Sequence, residues 1–205
     1  MNLKIKVYFD YVCPYCIIAK KILDEMINGK NIEVIWEPFE ICQIGEEKID
    51  PINDLEMKEL WQNEIIPLAK KYNIKLEVPY VVPHPYTNLA FQLFHFAKEY
   101  GKEKEYNNKV FNAFFYEKKD IANLDVLLNL CEEIGMDKKE CLKVLENKKY
   151  EYVQNECLKK CDKENIEIIP TIIIGKSKIQ GEIDKDILRQ TINKEFNEMI
   201  DLNII

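Results

Sequence analysis

Residues 8–16 read YFDYVCPYC, placing two cysteines, Cys13 and Cys16, three apart where an apolar run gives way to helical periodicity. Upstream, residues 3–9 (LKIKVYF) alternate apolar side chains with lysine as far as Val7 and then stay apolar, the pattern of a strand running into a core. Downstream of Pro14, the apolar positions Ile18, Ala19, Ile22, Leu23 and Met26 recur at helical spacing, and Asn28-Gly29-Lys30 supplies a glycine stop. Residues 32–39 (IEVIWEPF) form a second strand, rich in β-branched and aromatic side chains and stopped by Pro38. The chain therefore opens β-α-β.

The position of the two cysteines in that unit carries chemistry. Cys13 stands where a helix N-cap belongs, and Pro14 occupies the favoured first helical position, with helical φ already set and no N–H to lose. Cys16 follows one turn later on the same face, so the two sulfurs can meet. A thiol at a helix N-terminus faces free backbone N–H groups and the positive end of the helix dipole, both of which favour thiolate. Cys13 is the expected nucleophile and Cys16 the expected resolving thiol. A CxxC can instead be half of a zinc site, but that needs a second ligand pair. The spaced candidate is Cys157 with Cys161, and the chain has two histidines, His84 and His95. A CxxC that enters a helix behind a strand is the redox arrangement, and no metal is expected.

The middle of the chain changes period. From Asn53 the apolar spacing is helical for about a hundred residues. Residues 53–73 read as one helix, bent where Pro67 removes a hydrogen bond. TNLAFQLFHFAKEYG (87–101) follows the turn VPHPYTN and is closed by Gly101, and EKEYNNKVFNAFFYEK (103–118) is the next helix. NLDVLLNLCEEIG (123–135) sets Leu124, Leu127, Leu128, Cys131 and Ile134 on one face, and Asp137 with Glu140 has the spacing of a capping box for the helix after it. After a helix near 149–164, residues 166–174 (IEIIPTIII) read as a β run broken by Pro170, KSKIQG continues it, and a final amphipathic helix starts near Asp184. The ending is β-β-α. The expected organisation is α/β, with residues 1–50 and 165–205 as one discontinuous domain around an all-helical insertion, 51–164.

Bulk properties exclude several classes of function. A net charge of −7, with lysines interleaved among acidic residues, disfavours a phosphate-backbone partner, so no nucleic acid is expected. The apolar runs are too short to span a bilayer, and MNLKIKVYFDYVC shows no secretory pattern, so a soluble protein of the reducing cytoplasm is the expectation. Seven cysteines without an even framework then read as mostly reduced thiols. Cys131 and Cys141 lie on apolar helical faces and read as core. Cys157 and Cys161, four apart on a helix, are either two core residues or an auxiliary dithiol. A second feature points toward redox chemistry: Ile169-Pro170 lies in the middle of an apolar run, where proline often marks a cis bond.

With these residues in view, the chain resembles the thioredoxin superfamily, and within it the DsbA-like proteins with an inserted helical domain. The nearest resemblance is to the FrnE branch, which also contains relatives of 2-hydroxychromene-2-carboxylate isomerase. The matching pieces are FDYVCPYC, WEPFE, TNLAFQL, VFNAFFYEKKDI and IIPTIIIGKSKIQG, which span most of the chain in family order. The resemblance implies a thioredoxin fold with a large inserted all-helical domain. It makes Cys13 an exposed attacking thiol and Cys16 its partner, Pro170 a cis-proline facing the dithiol, and Ile169 a source of backbone groups for an extended substrate. Pro14-Tyr15 is the middle pair familiar from glutaredoxins and belongs to the same substrate-facing surface.

The implied activity is thiol-disulfide exchange on protein or small-molecule thiols, with no cofactor beyond the redox-active disulfide and with glutathione as a possible co-substrate. The middle dipeptide contains no basic residue, which suggests a potential near about −200 mV. In the isomerase and kappa-class glutathione transferase relatives the first cysteine is typically serine, whereas this chain keeps both. A glutathione-dependent isomerase or transferase of the same fold is the rival reading, and a redox-independent, chaperone-like binding module is the rival from another class. Oligomeric state is not legible in the sequence.

Overall fold

The computed structural model of the protein describes residues 2–201. In chain order the elements are β1 (Leu3–Phe9), α1 (Pro14–Ile27), β2 (Ile32–Pro38), α2 (Leu55–Leu60), a π-helical turn (Trp61–Ile65) and α3 (Ile66–Lys71). They continue with α4 (Asn88–Glu99), α5 (Glu103–Phe115), α6 (Leu124–Glu133), α7 (Lys138–Glu146) and α8 (Glu151–Lys163). The chain then finishes with β3 (Thr171–Ile174), β4 (Ser177–Gln180) and α9 (Lys185–Asp201). Two compact units result, Met1–Phe39 with Cys161–Ile205, and Glu40–Lys160.

The first unit is built on one sheet of order β2-β1-β3-β4. β1 pairs parallel with β2, in a register that sets Val7 opposite Trp36, and antiparallel with β3, setting Val7 opposite Ile172. A central strand is covered on both faces, and Ile5, Val7, Tyr8 and Phe9 are all buried accordingly. Lys4 and Lys6, the polar positions of the alternation, remain exposed and half-buried. A β-α-β unit followed by a β-hairpin and a helix, with an all-helical unit inserted between them, is the thioredoxin fold in the expected variant.

The second β run is shorter than its sequence suggests. Pro170 has no N–H to give to a ladder, so pairing begins at Thr171, and residues 166–170 form no strand. In the hairpin that follows, Gly175 has φ +54, and a Cβ there would fall 1.9 Å from Glu195 Oε2. Glu195 is occupied at that point, accepting from Ser177 Oγ at 2.5 Å and from Lys176 N at 3.3 Å. Gly175→Ala therefore combines a left-handed backbone with a displaced buried carboxylate, and we expect a loss of roughly 1–3 kcal/mol, read from the midpoint of urea unfolding.

The second unit is helical, as its periodicity requires, with Trp61, Phe91, Phe94, Phe111 and Phe114 buried at its centre. Its caps follow the sequence: the Asp137 side chain accepts from Glu140 N at 2.9 Å, and the Asn123 side chain caps α6. The helix expected over residues 53–73 is continuous but is interrupted by a π turn immediately before Pro67. The Ile66 N–H reaches Trp61 O, five residues back. Proline both removes a donor and crowds the carbonyl of the preceding turn, and widening that turn accommodates it.

Candidate active site

The local sequence forces the geometry at Cys13. A turn from Asp10 brings the Cys13 N–H to Asp10 O at 3.3 Å. Pro14 then confines the residue before it to extended backbone, and Cys13 has φ −79 and ψ 116 as the N-cap of α1. That conformation points the sulfur across the first turn, where Cys13 Sγ accepts from Cys16 N at 3.3 Å. The same sulfur lies 3.8 Å from the carbonyl oxygen of Ile169, to which its thiol donates. The two cysteines and the Ile169-Pro170 loop, about 155 residues apart in the chain, are thus neighbours within one unit.

The loop opposite the sulfur is itself held in place. The Ile169–Pro170 peptide bond is cis. Pro170 O accepts from Gly181 N at 2.9 Å, the Thr171 hydroxyl donates to Ile168 O, and Gln180 Nε2 donates to Thr171 Oγ1 at 3.3 Å. The Ile169 carbonyl is therefore a fixed acceptor. Pro14 and Tyr15 are half-buried, and Ile169 and Pro170 are buried. A second cis bond, Val82–Pro83, which the sequence reading did not anticipate, occurs in the helical unit.

Two further features of the site differ from, or add to, the sequence reading. Cys13 is 3% exposed, not the open thiol that the resemblance implies, because its side chain is folded back over the start of α1 and under the Ile169 carbonyl. Cys16 is buried, and burial is the main reason its thiol is pushed well above the ordinary range, followed by the hydrogen bond and the charge of Cys13. The charge of Asp10 acts in the same direction, while a backbone hydrogen bond from Asp10 opposes it. Asp10 is a buried acid three residues before Cys13. Sequence reasoning passed over it, although an acidic residue inside an otherwise apolar strand end is a legible signal.

The other singled-out residues have separate surroundings. Cys161 donates to Pro38 O at 3.6 Å and is buried, Cys157 on the same helix is half-buried, and neither is in a disulfide. His95 is held by Gln154, with Nε2 3.0 Å from Oε1. His84 is buried with its ring edge toward Phe114, at a centroid distance of 5.4 Å, and neither ring nitrogen has a hydrogen-bond partner. Among the described residues there is no cluster of three or more His, Cys, Asp or Glu able to hold a metal ion. No described helix is long and apolar enough to cross a membrane.

Comparison with known proteins extends this picture. The family model for the DSBA-like thioredoxin domain matches residues 4–193. Uncharacterized protein YwbO of Bacillus subtilis (strain 168) is 44% identical over 196 residues, 95% of this chain and 98% of its own. Among solved structures, the probable DsbA oxidoreductase SCO1869 from Streptomyces coelicolor superposes with a TM-score of 0.81 at 15% identity, over 96% of this chain and 91% of its own. A 2-hydroxychromene-2-carboxylate isomerase superposes with a TM-score of 0.80 at 17% identity, over 98% and 99% of the two chains. At those identities the two structures speak for the fold.

Proposed function

Because the chain belongs to the DSBA-like thioredoxin domain family, we propose that it is a thiol-disulfide oxidoreductase in which Cys13 is the nucleophile and Cys16 the resolving thiol. One observation carries this reading: the Cys13 sulfur sits at the N-cap of α1, receives the Cys16 N–H at 3.3 Å and faces the Ile169 carbonyl at 3.8 Å. An N–H aimed at sulfur stabilises negative charge there, and the neighbouring carbonyl is a backbone acceptor for an extended chain laid beside Pro170.

The exchange runs in two displacements. Cys13 thiolate attacks one sulfur of a substrate disulfide, forming a mixed disulfide and releasing the first thiolate. Before this step Cys16 is kept protonated by burial and by the Cys13 charge. Bond formation at Cys13 removes that charge, and with it one of the causes that hold the Cys16 proton. Cys16 then attacks Cys13 Sγ, expels the second substrate thiol and leaves the oxidised pair, which an external thiol reduces. The reverse sequence oxidises a substrate dithiol with the same atoms.

The substrates are disulfides or thiols of proteins or of small molecules such as glutathione, and the reaction needs no resident cofactor. A cytoplasmic setting is part of the proposal, and the same pair can reduce, isomerise or oxidise. The test is insulin reduction with dithiothreitol as electron source. We expect turbidity to develop several-fold sooner than with dithiothreitol alone. A lag equal to that of dithiothreitol alone would reject general disulfide reduction and turn the assignment to glutathione-dependent isomerase or transferase chemistry on the same fold. A protein that suppresses aggregation with both cysteines replaced would instead be a binding module.

A further inference from the structure

In the helical unit, α4 and α8 meet through side chains that are polar where a packed face is ordinarily apolar. Glu151, Gln154, Asn155 and Leu158 stand on α8 at the i, i+3, i+4, i+7 spacing of one helix face, and of these only Leu158 is apolar. Opposite them, Asn88 and Gln92 are four apart on α4, and the two faces border a pocket of about 170 Å³. Glu40 and Gln43, from the segment after β2, complete its wall. At about 30 Å³ per molecule of liquid water, such a pocket has room for a ligand of a few heavy atoms.

Two buried side chains give the pocket its chemistry. Gln154 Nε2 donates to Glu40 Oε1 at 2.8 Å, and Gln154 Oε1 lies 3.0 Å from His95 Nε2. An ionised carboxylate only accepts, so the Gln154 nitrogen must face Glu40, its oxygen must face the ring, and His95 carries a proton on Nε2. The Gln154 amide is engaged at both ends and holds a buried carboxylate in the pocket wall. Gln92 is different. It is 3% exposed, lies within the buried run Ala90–Ala97, and its Oε1 has no hydrogen-bond partner. A buried amide left in that state opposes folding, and a leucine in its place would not.

We propose that this pocket binds a small organic ammonium ion of the amino-alcohol class, its ammonium group against Glu40 and its hydroxyl against the Gln92 amide. None of the residues lining the pocket is basic, so the side chains that face a ligand present negative charge and amides. An ammonium group donates and never accepts, which suits a carboxylate, whereas a hydroxyl does both and so completes an amide at either end. A hard metal ion fits this wall less well. It asks for about six or more oxygen ligands, while the lining carboxylates are Glu40 and Glu151, and Glu151 already pairs with Lys148 Nζ at 2.9 Å. The lining residues all fall within Glu40–Lys160, so binding is a separate question from the exchange chemistry of Cys13 and Cys16.

The test is titration of the full-length, isotope-labelled protein with ethanolamine at neutral pH and constant ionic strength, following the side-chain amide signals of Asn88, Gln92, Gln154 and Asn155 by NMR. We expect these signals to shift and saturate with a dissociation constant of millimolar order, the range open to so small a ligand. Ethylene glycol, the same size without the charge, should bind at least about tenfold more weakly, and Glu40→Gln, which keeps an acceptor for Gln154, should weaken ethanolamine by a similar factor. Gln92→Leu should lose binding to the same degree while its ligand-free Tm is no lower than that of the unmodified protein. A Gln92 that served only the fold would lower Tm on replacement. Absence of saturable shifts, equal binding of ethylene glycol, the same shifts from calcium chloride, or undiminished binding by Gln92→Leu would overturn the proposal. If that variant does not fold, the titrations of the unmodified protein and of Glu40→Gln decide the matter.

Discussion

Cys16→Ser should turn the protein into a single-turnover trap, while Cys13→Ser should lose the whole catalysed rate. The asymmetry follows from the geometry. Only Cys13 Sγ receives a helix N–H and faces the Ile169 carbonyl, so replacing it removes the sulfur that meets substrate. A serine oxygen there leaves Cys16, buried and held protonated, as the remaining thiol of the pair. With Cys16 replaced, Cys13 still attacks, but nothing resolves the mixed disulfide. In the insulin assay both variants should match dithiothreitol alone. Incubated with an excess of a glutathione-activated substrate, the Cys16→Ser protein should gain about one equivalent of adduct at Cys13, and the Cys13→Ser protein none at Cys16. Adduct on Cys16 in the absence of Cys13 would reverse the assigned roles.

The second large effect is on stability in acid. His84 is 4% exposed and has no hydrogen-bond partner at either ring nitrogen, and burial pushes its pKa down to about 4, the nearby Asp50 charge only partly offsetting this. The folded state therefore holds the ring neutral over a range in which the unfolded chain protonates it. Since the folded value is depressed, the stability is complete above the unfolded value of about 6.5 and is lost as pH falls from there to about 4. Over that span the loss is about 3 kcal/mol. His84→Leu, which keeps an apolar group against Phe114, should flatten the dependence of urea-unfolding stability on pH between these values. An unchanged slope in the variant would show that some other group sets the acid limit.

The same two sites show how far one-dimensional reading reaches. The YFDYVCPYC stretch contains its own geometry, because a strand end, a turn, an N-cap cysteine and a proline at the first helical position are all local instructions. Their spacing alone places Cys16 N against Cys13 Sγ. The helices of the second unit were equally legible from apolar spacing and from the caps Asn123 and Asp137. The interruption at Trp61–Ile65 was less so: proline announces that a turn must change, but a bend and a π turn are different answers to the same missing donor.

What could not be read locally were the meetings of residues far apart in sequence or on separate elements. The burial of Cys13 depends on the Ile169-Pro170 loop, whose position is set by the pairing of β3 with β1 and by the bonds of Thr171 and Gly181. Asp10 gains its influence over Cys16 only when the strand end is closed from water. The β-α-β opening, the helical insertion and the first-turn dithiol are all written in local sequence, since each follows from φ preferences, missing donors and apolar period over a few residues. The acceptor facing Cys13 and the burial of His84 arise only once distant segments pack together, because burial and the partner across a packed interface are properties of distance in space.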